Sequence, residues 1–151
     1  MTKKITPFLW FNDDALEAAK FYVKIFRRSK ITSVMKSNGK VMSVTFRLEG
    51  QDFMALNGGP TYKLTPAISL FVDCKDQREV DALWKKLARG GAESRCGWLE
   101  DKFGLSWQII PKRLLQLLSD KDPKRAHGAM TAMLKMAKID VEGLERGANA
   151  A

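Results

Sequence analysis

The side chains best able to do chemistry in this 151-residue chain are few and scattered. Its two cysteines, Cys74 and Cys96, make no C-x-x-C pair, and its one histidine, His127, stands far from both in sequence. Divalent transition metals need imidazole, thiolate or carboxylate groups brought together. Cys96 follows Arg95, whose charge would lower a neighbouring thiol's pKa and favour the nucleophilic thiolate. The competing reading of Cys96 is a small core residue in a strand. Cys74 sits beside Asp73, which gives no such help. No G-x-S-x-G segment is present, so a nucleophile elbow is excluded. No G-x-G occurs either, so the glycine-rich turn of a Rossmann-type cofactor site is missing.

Composition bounds the elements that must carry any site. Hydrophobic residues make up 45% and charged residues 28%, a globular balance. The length suits one compact core, so a single domain over 1–151 is expected. The formal net charge is +9, which invites an anionic partner. The excess falls on what read as outer helix faces, such as Lys85, Lys86 and Arg89. It also falls on 112–138, with seven basic and two acidic residues. Charge alone supplies only non-specific binding, so a solvated surface is expected rather than a nucleic-acid site. No apolar run approaches the ~18 residues of a membrane span. The first residues lack the apolar core of a signal peptide. With two cysteines and no disulfide framework, the expected location is a reducing cytoplasm.

Hydrophobic period then marks the elements. Ile5 to Phe11 reads as a strand. Asp14 followed by Glu17 is a capping-box start, and Ala18, Phe21, Tyr22 and Ile25 give one apolar helical face. Lys30–Ser37 and 41–49 flank Asn38-Gly39, a tight hairpin turn. Phe53–Leu56 follows as a fourth strand, and glycines and prolines make 58–66 a loop. The pattern then restarts. Ala67–Val72 is a strand, Asp76 and Glu79 repeat the helix start, and Val80, Leu83, Trp84 and Leu87 repeat the apolar face. A shift of 62 residues superposes these positions, which predicts an internal repeat. Trp84 then falls on a core face. Cys96–Leu99 and Leu105–Ile110 complete the second half. The predicted fold class is α+β, two βαβββ modules at 5–58 and 67–111. Each helix covers one sheet face, and the other needs a partner.

A helical tail is predicted over 112–147. Leu114, Leu115, Leu117 and Leu118 form one apolar cluster. Asp122-Pro123 starts a second helix, whose buried stripe is read as Ala126, Met130, Met133, Leu134 and Ala137. The final residues are expected to fray.

Several segments together resemble the PhnB-like branch of the glyoxalase/bleomycin-resistance (vicinal oxygen chelate) superfamily. They are Phe8-Leu9-Trp10-Phe11-Asn12 ahead of Asp14 and Phe21-Tyr22, then Ala67-Ile68-Ser69-Leu70-Phe71-Val72. The most specific is Asp101-Lys102-Phe103-Gly104-Leu105-Ser106-Trp107-Gln108. The tail from Asp122-Pro123 to Ile139-Asp140 is also similar to that branch. The resemblance implies paired βαβββ modules, a homodimer, and a pocket on the concave side of the sheets. Superfamily enzymes hold a divalent metal with His, Glu or Gln on the first and last strands of each module. Carried over by the F-Y and D-x-F-G landmarks, those places fall on Pro7, Asn57, Ser69 and Gln108. Proline has no side-chain donor, and serine and the two amides offer neutral oxygens. No metal and no cofactor are therefore expected. Members of this branch carry a demethylubiquinone methyltransferase label, but the missing G-x-G gives it no visible mechanism here.

The resemblance implies a small-molecule pocket where Asn57, Ser69 and Gln108 hydrogen-bond a ligand among Phe11, Phe71, Trp98 and Trp107. For the two amides, bonding to strand backbones is the competing role. The leading expectation is a metal-free small-molecule binding protein. The alternatives are an enzyme of the same superfamily, and a binder of an anionic partner through the basic tail.

Overall fold

The computed structural model describes residues 3–150. The chain divides into two compact units, with the boundary between Thr65 and Pro66. Each carries one four-stranded sheet.

The first unit runs β1 (Phe8–Phe11), α1 (Ala15–Ile25), β2 (Lys30–Ser37), β3 (Lys40–Leu48) and β4 (Gln51–Asn57). Its strand order is β1-β4-β3-β2, with β1 parallel to β4 and the other pairs antiparallel. Side chains alternate across a strand, and burial reports the faces. Leu9, Phe11, Val44, Phe46, Phe53 and Ala55 are buried on the side of α1. Phe46 stacks on Phe53 at 5.4 Å, and Tyr22 reaches Phe46 from the helix. The helix's buried face is Ala15, Ala18, Ala19 and Tyr22. Phe21 and Ile25, expected in that stripe, are only half-buried, because small alanines bring the helix close to the sheet. The expected strand from Ile5 begins only at Phe8. Ile5 is 85% exposed, and Pro7 contributes its carbonyl to Met54 N–H.

The second unit runs β5 (Ser69–Cys74), α2 (Gln77–Ala88), β6 (Ala92–Glu93), β7 (Trp98–Glu100) and β8 (Ser106–Pro111). Its order, β5-β8-β7-β6, repeats the first with the same parallel outer pair. Strand β6 is two exposed residues, too short to leave a periodic signal. Val80, Leu83, Trp84 and Leu87 are the buried residues of α2, as the period requires. Trp84 is core, and its indole donates to Glu93 at 2.6 Å.

Three tail helices follow: α3 (Lys112–Leu118), α4 (Pro123–Met133) and α5 (Val141–Ala150). They close a core of Ile110, Leu114, Leu117, Ala129, Ile139, Leu144 and Ala148. Two expectations are corrected here. The buried side of α4 is Ala129 with Met133 packed beside it, while Met130 and Leu134 are exposed. Small residues face inward because α5 comes very close. A Cβ on Gly147 would meet Gly128 O at 2.7 Å. The C-terminal stretch, expected to fray, is instead helical, because burying Leu144 and Ala148 fixes it. Of the leucine cluster, Leu114 and Leu117 are buried and Leu115 is exposed. No helix among the described residues is long and apolar enough to cross a membrane.

Candidate functional site

In the second unit, α2 covers one face of the sheet through Trp107, Ile109 and Leu99. The opposite face is open over part of its area. Register sets one row across it: Phe71 of β5 pairs with Gln108 of β8, and Gln108 pairs with Trp98 of β7. An amide thus lies between two aromatic side chains. Ser69, two residues before Phe71, points to the same face. Gln108 Nε2 donates to Ser69 Oγ at 2.9 Å. Phe71 is 48% exposed, and Ser69, Trp98 and Gln108 are half-buried. The Gln108 carbonyl and the Ser69 hydroxyl proton make no further hydrogen bond among the described residues. These are neutral groups, suited to a carbonyl or hydroxyl rather than to a charge.

Trp107 does not join this row. It lies on the helix face, 2% exposed, with its indole donating to Asp101 Oδ2 at 2.9 Å. Asp101 is itself buried. Its Oδ1 accepts from Phe103 N–H at 2.8 Å and Leu105 N–H at 3.1 Å. Gly104 takes φ +91 and returns its N–H to the Asp101 carbonyl. The Asp101–Trp107 motif is therefore a self-bonded turn. Trp107, expected to line the ligand pocket, is thus a structural residue that braces this turn.

In the first unit, Phe11 and Asn57 are paired in register and face α1. Phe11 is 3% exposed core. Asn57 Oδ1 accepts from Ala15 N–H at 2.9 Å, and Nδ2 donates to Val41 O at 3.2 Å. Its amide is thus committed to backbone. It caps α1 from 42 residues away, whereas the side chain of Asp14, the expected cap, makes no capping bond. In α2 the expected cap holds: Asp76 accepts from Glu79 N–H at 3.0 Å. A cleft of about 370 Å³ lies beside Asn57, lined by Asp13, Leu16, Glu17, Lys40, Val41 and Met42.

Metal donors can now be placed by register. The side chains of β4 on the open face of the first sheet are Asp52, Met54 and Leu56, not Asn57, and Asp52 is paired with Arg47 at 2.7 Å. Pro7 precedes Phe8 by one residue and alternates with it. In the second sheet the matching groups are Ser69 and Gln108. Among the described residues no three His, Cys, Asp or Glu side chains come together to hold a metal ion. Apart from Asp52, which is bonded to Arg47, these places carry hydroxyl, amide, thioether and alkyl groups rather than the imidazole, thiolate or carboxylate that bind a divalent transition metal strongly.

Neither cysteine adds a catalytic group to this row. Cys74 is fully buried on the helix face, and burial pushes its thiol up to about 12. Cys96, expected to open a strand, lies instead in the turn between β6 and β7 with φ +58, its N–H held by Met136 O at 2.8 Å.

A model of the 3-demethylubiquinone-9 3-methyltransferase family matches residues 3–110. The chain belongs to that family. A structure described as a putative member of it, a PhnB protein from Bacillus cereus, is 37% identical with a TM-score of 0.68. The match covers 72% of this chain and 99% of that one. Protein PA1353 from Pseudomonas aeruginosa is 20% identical, TM-score 0.62, over 73% of this chain and 98% of that one. A fosfomycin resistance protein from Listeria monocytogenes, complexed with Mn(II) and sulfate, shares the fold. It is 14% identical, TM-score 0.54, over 71% of this chain and 89% of that one. No curated protein matches the chain. The PhnB-like, glyoxalase/bleomycin-resistance fold inferred from sequence is thus its fold. The family model ends at Ile110, so the similarity expected for the tail lies outside the matched residues.

Proposed function

We propose that this member of the PhnB-like branch binds a small, flat, neutral organic molecule on the open face of its second sheet, without a resident metal. The observation that carries the reading is the row Phe71–Gln108–Trp98 with Ser69 bonded to the amide. Apolar walls around a few oriented polar groups are the usual make-up of such a site. The available donors are neutral, so recognition by hydrogen bonding and ring contact is favoured over hydrolysis or metal-assisted chemistry.

The same reading includes a homodimer. Phe8 and Met35 on the first sheet are 52% and 63% exposed, apolar surface that a second copy would cover. It also includes a reducing cytoplasmic setting, in keeping with two free cysteines. Binding of an anion through the tail is less favoured. Of seven basic side chains in 112–138, Lys112, Arg113, Arg125 and Lys138 are already paired with Asp73, Glu145, Asp120 and Asp81.

Native mass spectrometry on the purified full chain tests the proposal. An organic ligand is expected, lost in Gln108→Ala and Phe71→Ala with folding intact. A stoichiometric, tightly held Zn, Ni or Fe would overturn it.

A further inference from the structure

We propose that the tail is an end wall that sets how long a ligand the second sheet's open face accepts. The inference rests on the small-molecule reading above. Ile110 lies on the same face as Gln108, two residues on along β8, roughly 6.6 Å at strand rise. Phe71, in the Gln108 row, is 48% exposed, while Ile110 is 4% exposed under the tail. The open face is thus divided between Gln108 and Ile110. One part is accessible, and the other is filled by Ile139, Leu114 and Leu117.

A strap between α4 and α5 fixes the boundary. Met136 O and Ala137 O accept from the successive N–H groups of Cys96 and Gly97, both at 2.8 Å. Those two residues take φ +58 and +85, which turns their amides out of the ladder and toward the strap. A Cβ on Gly97 would meet Ile110 Cδ1 at 2.7 Å and Ile139 Cγ1 at 3.1 Å, so strap and sheet are in close contact there. Gln77 locks the strap's far end. Its Nε2 donates to Ile139 O at 2.9 Å, and its Oε1 accepts from Val141 N–H at 2.7 Å. Lys138, in the strap, pairs with Asp81 on α2.

The matched family residues end at Ile110, the residue the wall covers. The Bacillus cereus relative is covered over 99% of its length by 72% of this chain. The wall is therefore a feature of this chain beyond the matched module, and a place where its ligand range can differ from that relative's.

The test uses the full chain and a series of 4-alkylphenols, methyl to octyl, followed by tryptophan fluorescence and calorimetry. The hydroxyl suits Ser69 and Gln108, the ring suits Phe71 and Trp98, and the alkyl group probes the wall. Native protein is expected to lose at least tenfold in affinity between the short and the longest members. Gln77→Ala and Ile139→Ala are expected to remove most of that loss. Gln77→Ala lies outside the packed core and serves should Ile139→Ala fail to fold. Hydrogen exchange at Cys96 and Gly97 is expected to quicken at least tenfold in Gln77→Ala, reporting the loosened strap. A loosened strap with an unchanged length preference would overturn the wall but leave the site standing. Binding that survives Phe71→Ala, or native protein that binds no member, would overturn the site and the wall with it.

Discussion

The two sheets share one strand order but differ in how each is finished. In the first unit the helix start is capped from β4 by Asn57, far away in sequence. In the second, α2 is capped by its own Asp76. The last hairpin differs as well. β3 and β4 are joined by Glu49-Gly50, both at positive φ, a compact turn whose only side-chain acceptor for a turn amide among the described residues is Ser29 Oγ, at 3.4 Å from Glu49 N. β7 and β8 are joined by a turn built around buried Asp101. The open faces differ again. In the first unit Trp10 is held by the following loop, through Gly59 O at 2.9 Å and an edge contact with Tyr62. In the second, three helices cover the Ile110 end. A duplicated plan constrains topology, while the polar groups that finish each copy are local solutions to the same unsatisfied backbone.

The largest effect should come from the turn that has no counterpart in the first unit. Asp101→Ala leaves Phe103 N–H, Leu105 N–H and the Trp107 indole without their shared acceptor. Chemical denaturation should show a loss of about 3–4 kcal/mol. A loss under 1 kcal/mol would mean the turn is as self-sufficient as Glu49-Gly50.

The caps should separate next. Asn57→Ala removes two backbone bonds at a half-buried site and should cost about 1–2 kcal/mol. Asp76→Ala, at an exposed cap, should cost about 1 kcal/mol or less. The reverse ranking would show that the long-range cap is incidental.

The smallest effect concerns the tail's ion pairs. Glu145 is held below the usual carboxylate range by Arg113 and Asp81 by Lys138, while Asp120 is held down by the Asp122 N–H and then by Arg125. Their folded pKa values lie below the unfolded ones. The stabilisation is therefore complete above the ordinary carboxylate pKa and is lost as pH falls through the lowered values. Melting temperature should be insensitive to these groups from pH 5 to 7 and fall below about pH 4. Glu145→Gln should lose part of that dependence. These side chains keep 25% to 48% of their surface in solvent, so each contribution is modest.

Much of the fold was legible in local pattern. The span of β2 matches the Lys30–Ser37 segment, because Asn38-Gly39 fixes the hairpin. The buried face of α2 matches its period residue for residue. The candidate site was legible only in part. Ser69, Phe71, Trp98 and Gln108 share one face of one sheet. Trp107 and Asn57 turn to helix faces, the first in the same sheet as that row and the second in the first unit. Residue landmarks cannot decide this, since a shift of one position moves a strand side chain to the opposite face. The tail's buried stripe departs from the apolar pattern for a related reason. Met130 and Leu134 have the apolar character of a core, but α5 approaches α4 on its glycine and alanine side.

By itself, then, the sequence determined the order of elements in the first unit, the internal repeat and the apolar face of α2. These follow from local period, turn chemistry and residue type. The tertiary structure alone decided that Asn57 is a helix cap, that Asp101 and Trp107 hold a turn together, and that the tail covers Ile110. Each depends on which groups far apart in sequence meet. Side-chain register and close packing set those meetings, and neither is carried by a local pattern.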